Sequence, residues 1–212
     1  MTDLAAVRES YDTVAADYAD LLRDALAAAP HDRAVLGLFA ELVLAAGGGP
    51  VADVGCGPGR ITAHLAHLGL DAFGIDLSPG MVEVARRDHP GLRFDVGSVT
   101  GLDLPDGTLA GALAWYSLIH TPTAGLPAVL AELARVLRPG GQLLVAFQAG
   151  DEPVHLHHAY GHDVRLVNHR RPPELVEELL AAAGLAVHTR LLREPEGREK
   201  SPQAYLLARR PG

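Results

Sequence analysis

The chain has 212 residues, 48% of them apolar and 21% charged, with a formal net charge of −8. These fractions belong to a globular protein and not to a disordered one, and the acidic balance argues against a general phosphate-backbone binder, which needs clustered Lys and Arg. One cysteine, Cys56, excludes an internal disulfide framework and fits a reducing cytoplasm.

The opening "MTDLAAVRES" has neither a basic nor an apolar leader region, and "AVLGLFAELVLAAGG" is too short and too interrupted by Glu41 to span a bilayer. A cytoplasmic protein without membrane attachment is therefore expected. "TDLAAVRESYDTVAADYADLLRDALAAAP" predicts a helix with Thr2 or Asp3 as N-cap and Pro30 as its stop. Residues 32–46 place Val35, Leu36, Leu38, Phe39, Leu42 and Val43 at helical spacing, ended by Gly47–Gly49. Strand and helix then alternate: "PVADVG", "PGRITAHLAHLG", "LDAFGIDLS", "PGMVEVARRDHP", "LRFDVGS", the turn "VTGLDLPDG", "TLAGALAWYSL", "TAGLPAVLAELARVLRPGG", "QLLVAFQ". Such alternation predicts right-handed crossovers and a parallel sheet covered on both faces. In "RVLRPGG", Arg138 reads as a cation near the helix C-terminus, with Pro139 and two glycines making the turn.

After Gly150 the rhythm changes. Residues 151–171 show no clear period and read as an inserted loop or irregular strand segment. "PPELVEELLAAAG" restores a helix, and "LAVHTRLLRE" with "QAYLLARR" flanks a polar turn, a hairpin pattern. No repeat or long linker is visible, so one domain is expected over 1–212.

The stretch "VADVGCGPGR" carries the chemistry. Gly55, Gly57 and Gly59 stand at alternate positions after an apolar run that Asp53 interrupts. In a parallel α/β sheet, ligands sit at the carboxyl ends of the strands, where a glycine turn brings backbone N–H groups and a helix N-terminus to them. The spacing is G-x-G-x-G, and Arg60 occupies the place where a dinucleotide-binding turn wants its third small residue. A nucleoside without a pyrophosphate fits better. Asp76, about 20 residues after the first glycine, ends the second strand, where a carboxylate can accept from both ribose hydroxyls.

"VADVGCGPGR", "FGIDLSPGM", "LRFDVGSVTGLDLPDG", "ALAWYSLIH" and "LARVLRPGGQLLVAF" together resemble class I S-adenosylmethionine-dependent methyltransferases, strongly over 10–148 and more narrowly the bacterial small-molecule type. The resemblance implies a doubly wound, mostly parallel seven-stranded sheet with an antiparallel C-terminal hairpin strand, a Rossmann-like fold. Residues 1–46 would be a helical cap serving as cofactor lid, 47–150 the cofactor-binding core, 151–171 an acceptor-side insertion, and 172–212 a terminal helix and hairpin. The implied cofactor is S-adenosyl-L-methionine, leaving as S-adenosyl-L-homocysteine. Gly55, Gly57 and Gly59, with Asp53 beneath them, would line its methionine part. Cys56 stands between the first two of those glycines and Arg60 follows the third, where it could pair with the cofactor carboxylate. Asp76 would bind the ribose, Leu77 and Met81 would pack on the ribose or adenine face, and Gly97, Ser98 and Val99 would stand at the adenine. Ala114, Trp115 and Tyr116 would run along the methionyl chain, and Tyr11 and Tyr18 of "YDTVAADY" would close over it. Ser98 departs from the pattern, which usually places an aspartate there.

An activated sulfonium needs an acceptor held in line about 3–3.5 Å away and water excluded. A hydroxyl or acidic-carbon acceptor gains from a general base, and His120 in "SLIHTP", with Tyr116, is the catalytic candidate. A histidine fixing its own loop is the plainer alternative. His155, His157, His158, His162 and His169 match no standard zinc spacing, so no metal is expected. The expected partner is a small-molecule acceptor rather than nucleic acid, for a monomer or homodimer. A catalytically inactive cofactor-binding protein and an NAD(P)-dependent oxidoreductase are the competing classes, and the latter lacks a Tyr-x-x-x-Lys pair after Tyr116.

Overall fold

The computed structural model describes residues 4–197 and 199–212. Its elements are α1 (Leu4–Leu22), α2 (Pro30–Ala45), β1 (Pro50–Val54), α3 (Arg60–His67), β2 (Asp71–Asp76), α4 (Pro79–Asp88), β3 (Phe94–Val96), β4 (Leu109–Trp115), α5 (Leu126–Val136), β5 (Leu137–Gln148), β6 (Pro153–Ala159), β7 (His162–His169), α6 (Pro173–Ala182), β8 (Ala186–Arg193) and β9 (Gln203–Arg209). Seven strands form one sheet in the order β3-β2-β1-β4-β5-β9-β8, with β9 antiparallel to both neighbours and β1 to β5 parallel. The doubly wound sheet and its antiparallel C-terminal strand are as expected.

Two-residue periodicity builds a core on each face. On β5, Leu143, Val145 and Phe147 pack under α5 and α6 with Leu130, Leu133, Val176 and Leu180. The alternate residues Leu144 and Ala146 pack under α2 and α3 with Leu36, Phe39, Val43 and Leu65. Every residue of β4 is buried, as a central strand covered on both sides requires. Because β1 lies between β2 and β4, the chain winds outward in both directions from this pair. Their carboxyl ends, Val54 and Trp115, therefore border the crevice where α/β sheets bind ligands.

Three local expectations need correction. The first helix ends at Leu22, turns follow to Ala28, and Pro30 opens α2 instead of stopping α1. Proline suits a first helical turn, where its missing N–H costs nothing. The proposed caps Thr2 and Asp3 lie outside the described residues. Helix α5 ends at Val136, so Arg138 belongs to β5, and its guanidinium donates to Ala46 O at the end of α2, 2.7 Å away. Residues 153–169 are not a loop but strands: β6 and β7 pair antiparallel as a separate two-stranded sheet, irregular at a register shift between Leu156 and His158.

Candidate active site

The turn after β1 is built from glycines in the left-handed region: Gly55, Gly57 and Gly59 have φ of 80°, 54° and 82°. Their surroundings differ. A Cβ on Gly55 would lie 2.1 Å from Ser117 Cβ and one on Gly59 2.7 Å from the Phe94 ring, whereas on Gly57 the nearest atom is on the Tyr18 ring at 3.9 Å. Two of the glycines are thus demanded by the protein's own packing. Gly57 alone looks into open space.

That space is a cavity of about 310 Å³, at the small end of the ~300–1,000 Å³ range of ligand pockets. Asp76 ends β2 at its wall, where Oδ2 accepts from the Gly57 N–H at 2.7 Å and Oδ1 from the Ser78 N–H at 2.8 Å. Burial pushes its carboxyl above the ordinary value, against these two amide bonds. Arg60 opens α3 and lines the same end of the cavity. Among the described lining residues, Arg60 and Asp76 are the only Arg, Lys, Asp or Glu. Asp53 lies deeper: Oδ2 accepts from Thr62 Oγ1 at 2.7 Å and Oδ1 is buried without a partner among the described residues. Burial raises its pKa to about 7.

Helix α1 and the β6–β7 hairpin cover the crevice. Asp12 Oδ1 accepts from Ser78 Oγ at 2.6 Å and Gly80 N–H at 2.9 Å, tying α1 to the start of α4. Ser10 Oγ accepts from the Arg165 N–H at 3.1 Å, and Val14, Ala15 and Ala19 pack against Met81, Val84, Val164 and Leu166. Tyr18 stands edge-on to Tyr11 and Tyr160, with ring centroids 6.1 and 4.8 Å apart.

His120 ends a short 3-10 turn, Leu118–His120, and is buried. Its Nδ1 meets Val167 O at 3.0 Å and its Nε2 meets the Tyr11 hydroxyl at 2.7 Å. A carbonyl can only accept, so Nδ1 carries the hydrogen. In the neutral ring, Nε2 must then accept from Tyr11. Burial lowers the imidazole's pKa; the hydrogen bond to the Val167 carbonyl opposes this, and His169 and Arg171 nearby lower it further. Arg171 is fully buried, with no carboxylate paired to it among the described residues. Its guanidinium instead donates to Leu118 O, His169 O and Thr121 O, bracketing the turn that carries His120. Burial brings the Arg171 pKa down to about 10. The Tyr116 ring lines the cavity at φ 55°, but its hydroxyl donates to Tyr205 Oη at 3.3 Å, and Tyr205 donates to Asp32 at 2.6 Å. That hydroxyl is committed to the α2 side of the sheet.

The cavity therefore gathers Tyr11, Tyr18, Gly55, Gly57, Arg60, Asp76, Leu77, Met81, Gly97, Ser98, Val99, Trp115, Tyr116 and His120. The Ser98 hydroxyl folds back on Thr100 Oγ1 at 2.8 Å. Asp53, Cys56, Gly59 and Ala114 do not line it. Cys56 packs away from the cavity against Val82, Ala85 and Phe94, and burial pushes its thiol well up, which disfavours a thiolate. Sequence reasoning missed Val7, Ile119, Leu156, Tyr160, Leu166 and Asn168. The available signal was the alternation of Val154 with Leu156 and of Val164 with Leu166, hidden among histidines.

Residues 51–141 match the family model described as "Methyltransferase domain". The chain is 36% identical to a demethylmenaquinone methyltransferase of Beutenbergia cavernae over 136 residues, covering 64% of this chain and 55% of that one. It is 37% identical to a malonyl-[acyl-carrier protein] O-methyltransferase of Serratia marcescens over 92 residues, 43% of this chain and 35% of that one. The chain thus spans between about a third and a little over half of the length of these relatives. In structure it resembles the magnesium protoporphyrin IX methyltransferase of Synechocystis PCC 6803, solved with bound S-adenosylmethionine, at TM-score 0.74 and 17% identity over 99% of this chain and 98% of that one.

Proposed function

We propose, for a chain whose residues 51–141 belong to the methyltransferase domain family, that it is an S-adenosylmethionine-dependent methyltransferase acting on a small molecule. The observation that carries this reading is the Asp76 carboxylate anchored by Gly57 and Ser78 at the wall of the glycine-turn cavity. The residues fit the cofactor. Asp76 keeps further lone pairs for ribose hydroxyls, the open side of Gly57 and the guanidinium of Arg60 suit an amino-acid end, and Leu77, Met81 and Val99 offer an apolar wall for adenine. Tyr11 and Tyr18 add aromatic surface that suits a cationic sulfonium. When bound, S-adenosylmethionine would supply an electrophilic methyl group.

The chain's own contribution is positional and acid–base. Helix α1 and the hairpin exclude water, and the Tyr11 hydroxyl and His120 Nε2 form a relay that takes a proton from a hydroxyl acceptor. The Val167 carbonyl holds the tautomer that leaves Nε2 free to receive it. We read the whole chain as one such domain: of the expected cap 1–46 only α1 covers the crevice, whereas α2 packs on the sheet, with 47–150 as cofactor core, 151–171 as acceptor side and 172–212 completing the sheet. A cytoplasmic monomer or homodimer that does not bind nucleic acid agrees with the acidic composition. None of the described helices is long and apolar enough to cross a membrane.

Calorimetric titration with S-adenosylhomocysteine tests the reading. The wild-type protein should bind it, and Asp76→Ala should weaken binding by more than about 10-fold, since ribose hydroxyls would be left unpaired in a closed site. An affinity that barely moves would mean that the end of β2 does not hold the ribose.

A further inference from the structure

We propose that Asn168 is the acceptor-recognition residue of this cavity: it holds an uncharged, largely apolar small molecule through a second hydrogen-bond donor while that molecule's hydroxyl faces the Tyr11–His120 pair. The proposal rests on the methyltransferase reading above and adds the substrate class.

Asn168 follows Val164 and Leu166 at alternate positions of β7, so the three side chains share one face of the strand. Val164 and Leu166 are buried against α1, and the pattern calls for a third apolar residue. Asn168 stands there instead. Its carboxamide oxygen is buried and has no hydrogen-bond partner among the described residues, and Asn168 lines the cavity. Leaving such an acceptor empty is costly, so its placement makes sense if a ligand donates to it. The residue before it, Val167, holds His120 Nδ1 through its carbonyl at 3.0 Å, so one short stretch of β7 sets both the base and the orphan carboxamide.

The rest of this wall defines the ligand's character. Val7, Ile119, Leu156, Tyr160 and Leu166 are uncharged, while Arg60, which opens α3, and Asp76, which ends β2, belong to the glycine-turn part of the cavity. An acceptor carboxylate or ammonium would enter this wall without a counter-ion, at a high desolvation cost. A hydroxylated arene or enol with an adjacent O–H or N–H meets both polar groups and fills the apolar remainder.

The test uses full-length protein saturated with S-adenosylhomocysteine, titrated by ligand-observed NMR with catechol, resorcinol, phenol, anisole and benzoate. At least one of the two-donor probes should bind about 10-fold tighter than phenol, with anisole and benzoate weakest. Asn168→Leu, which completes the apolar face, should erase the two-donor advantage, keep phenol and S-adenosylhomocysteine affinities, and raise the melting temperature of the ligand-free protein. Benzoate binding as tightly as catechol, binding by none of the probes, an unchanged preference in the variant, or a lowered melting temperature would each overturn the proposal. Failure of the wild-type protein to bind S-adenosylhomocysteine, read in the same experiment, would instead overturn the methyltransferase reading beneath it.

Discussion

His120→Gln is expected to lower methyl transfer to a hydroxyl acceptor by at least about 100-fold, the lower bound for a general base. Binding of S-adenosylhomocysteine should stay within about 3-fold of wild type, less than 1 kcal/mol. Glutamine is the informative replacement because its amide N–H can donate to Val167 O and its carbonyl can accept from Tyr11, as the imidazole does at 3.0 and 2.7 Å. The variant therefore keeps the wall and removes only basicity. The sign of the pH dependence follows from burial, which disfavours the imidazolium and lowers the pKa of His120. The ring stays neutral at pH 7, so the acid limb of the rate profile falls below the ordinary histidine value of about 6.5 and disappears in the variant. Turnover of catechol or resorcinol with methyl-labelled S-adenosylmethionine, followed from pH 5 to 9, measures both effects. A loss below about 5-fold would make His120 a loop-fixing residue, the plainer of its two readings.

Gly55→Ala is expected to destabilise the fold by about 3 kcal/mol or more, combining a strained backbone with overpacking in a closed site. The new methyl would stand 2.1 Å from Ser117 Cβ at φ 80°, so the carboxyl ends of β1 and β4 would have to separate. Gly57→Ala carries the backbone strain alone, because its nearest neighbour is 3.9 Å away. It should fold, lose about 1–2 kcal/mol and bind cofactor poorly. The double variant Gly55→Ala/Ser117→Gly should recover part of the lost stability, because it removes the clash and leaves the strain. Thermal denaturation of the four proteins decides it: equal losses at Gly55 and Gly57 would contradict the packing account.

The glycine turn and the carboxylate beside it were legible because their requirements are local. Glycines at positive φ, a carboxylate ending the second strand and apolar runs of fixed length all leave marks on neighbouring residues. The reason behind the glycines was not legible. Gly55 and Gly59 answer to Ser117 and Phe94, which are 62 and 35 residues away in the chain. The β6–β7 side of the cavity was hidden for the same cause. Val164, Leu166 and Asn168 matter because β7 lies against α1, some 150 residues earlier in sequence, and His155, His157 and His158 obscured the alternation that marks the hairpin. Pro30 is ambiguous in the sequence because proline marks a helix start as well as a stop, and only the turns after Leu22 distinguish the two. Arg138 likewise finds its partner, Ala46 O, across the fold rather than in its own helix.

A crystal structure of the protein with S-adenosylhomocysteine bears most directly on the central claim. The account predicts both ribose hydroxyls within about 2.6–3.2 Å of the Asp76 carboxylate, with the nucleoside seated over Gly57 and the sulfur facing the wall that carries His120 and Asn168. A nucleoside bound elsewhere, or bound here without touching Asp76, would contradict it.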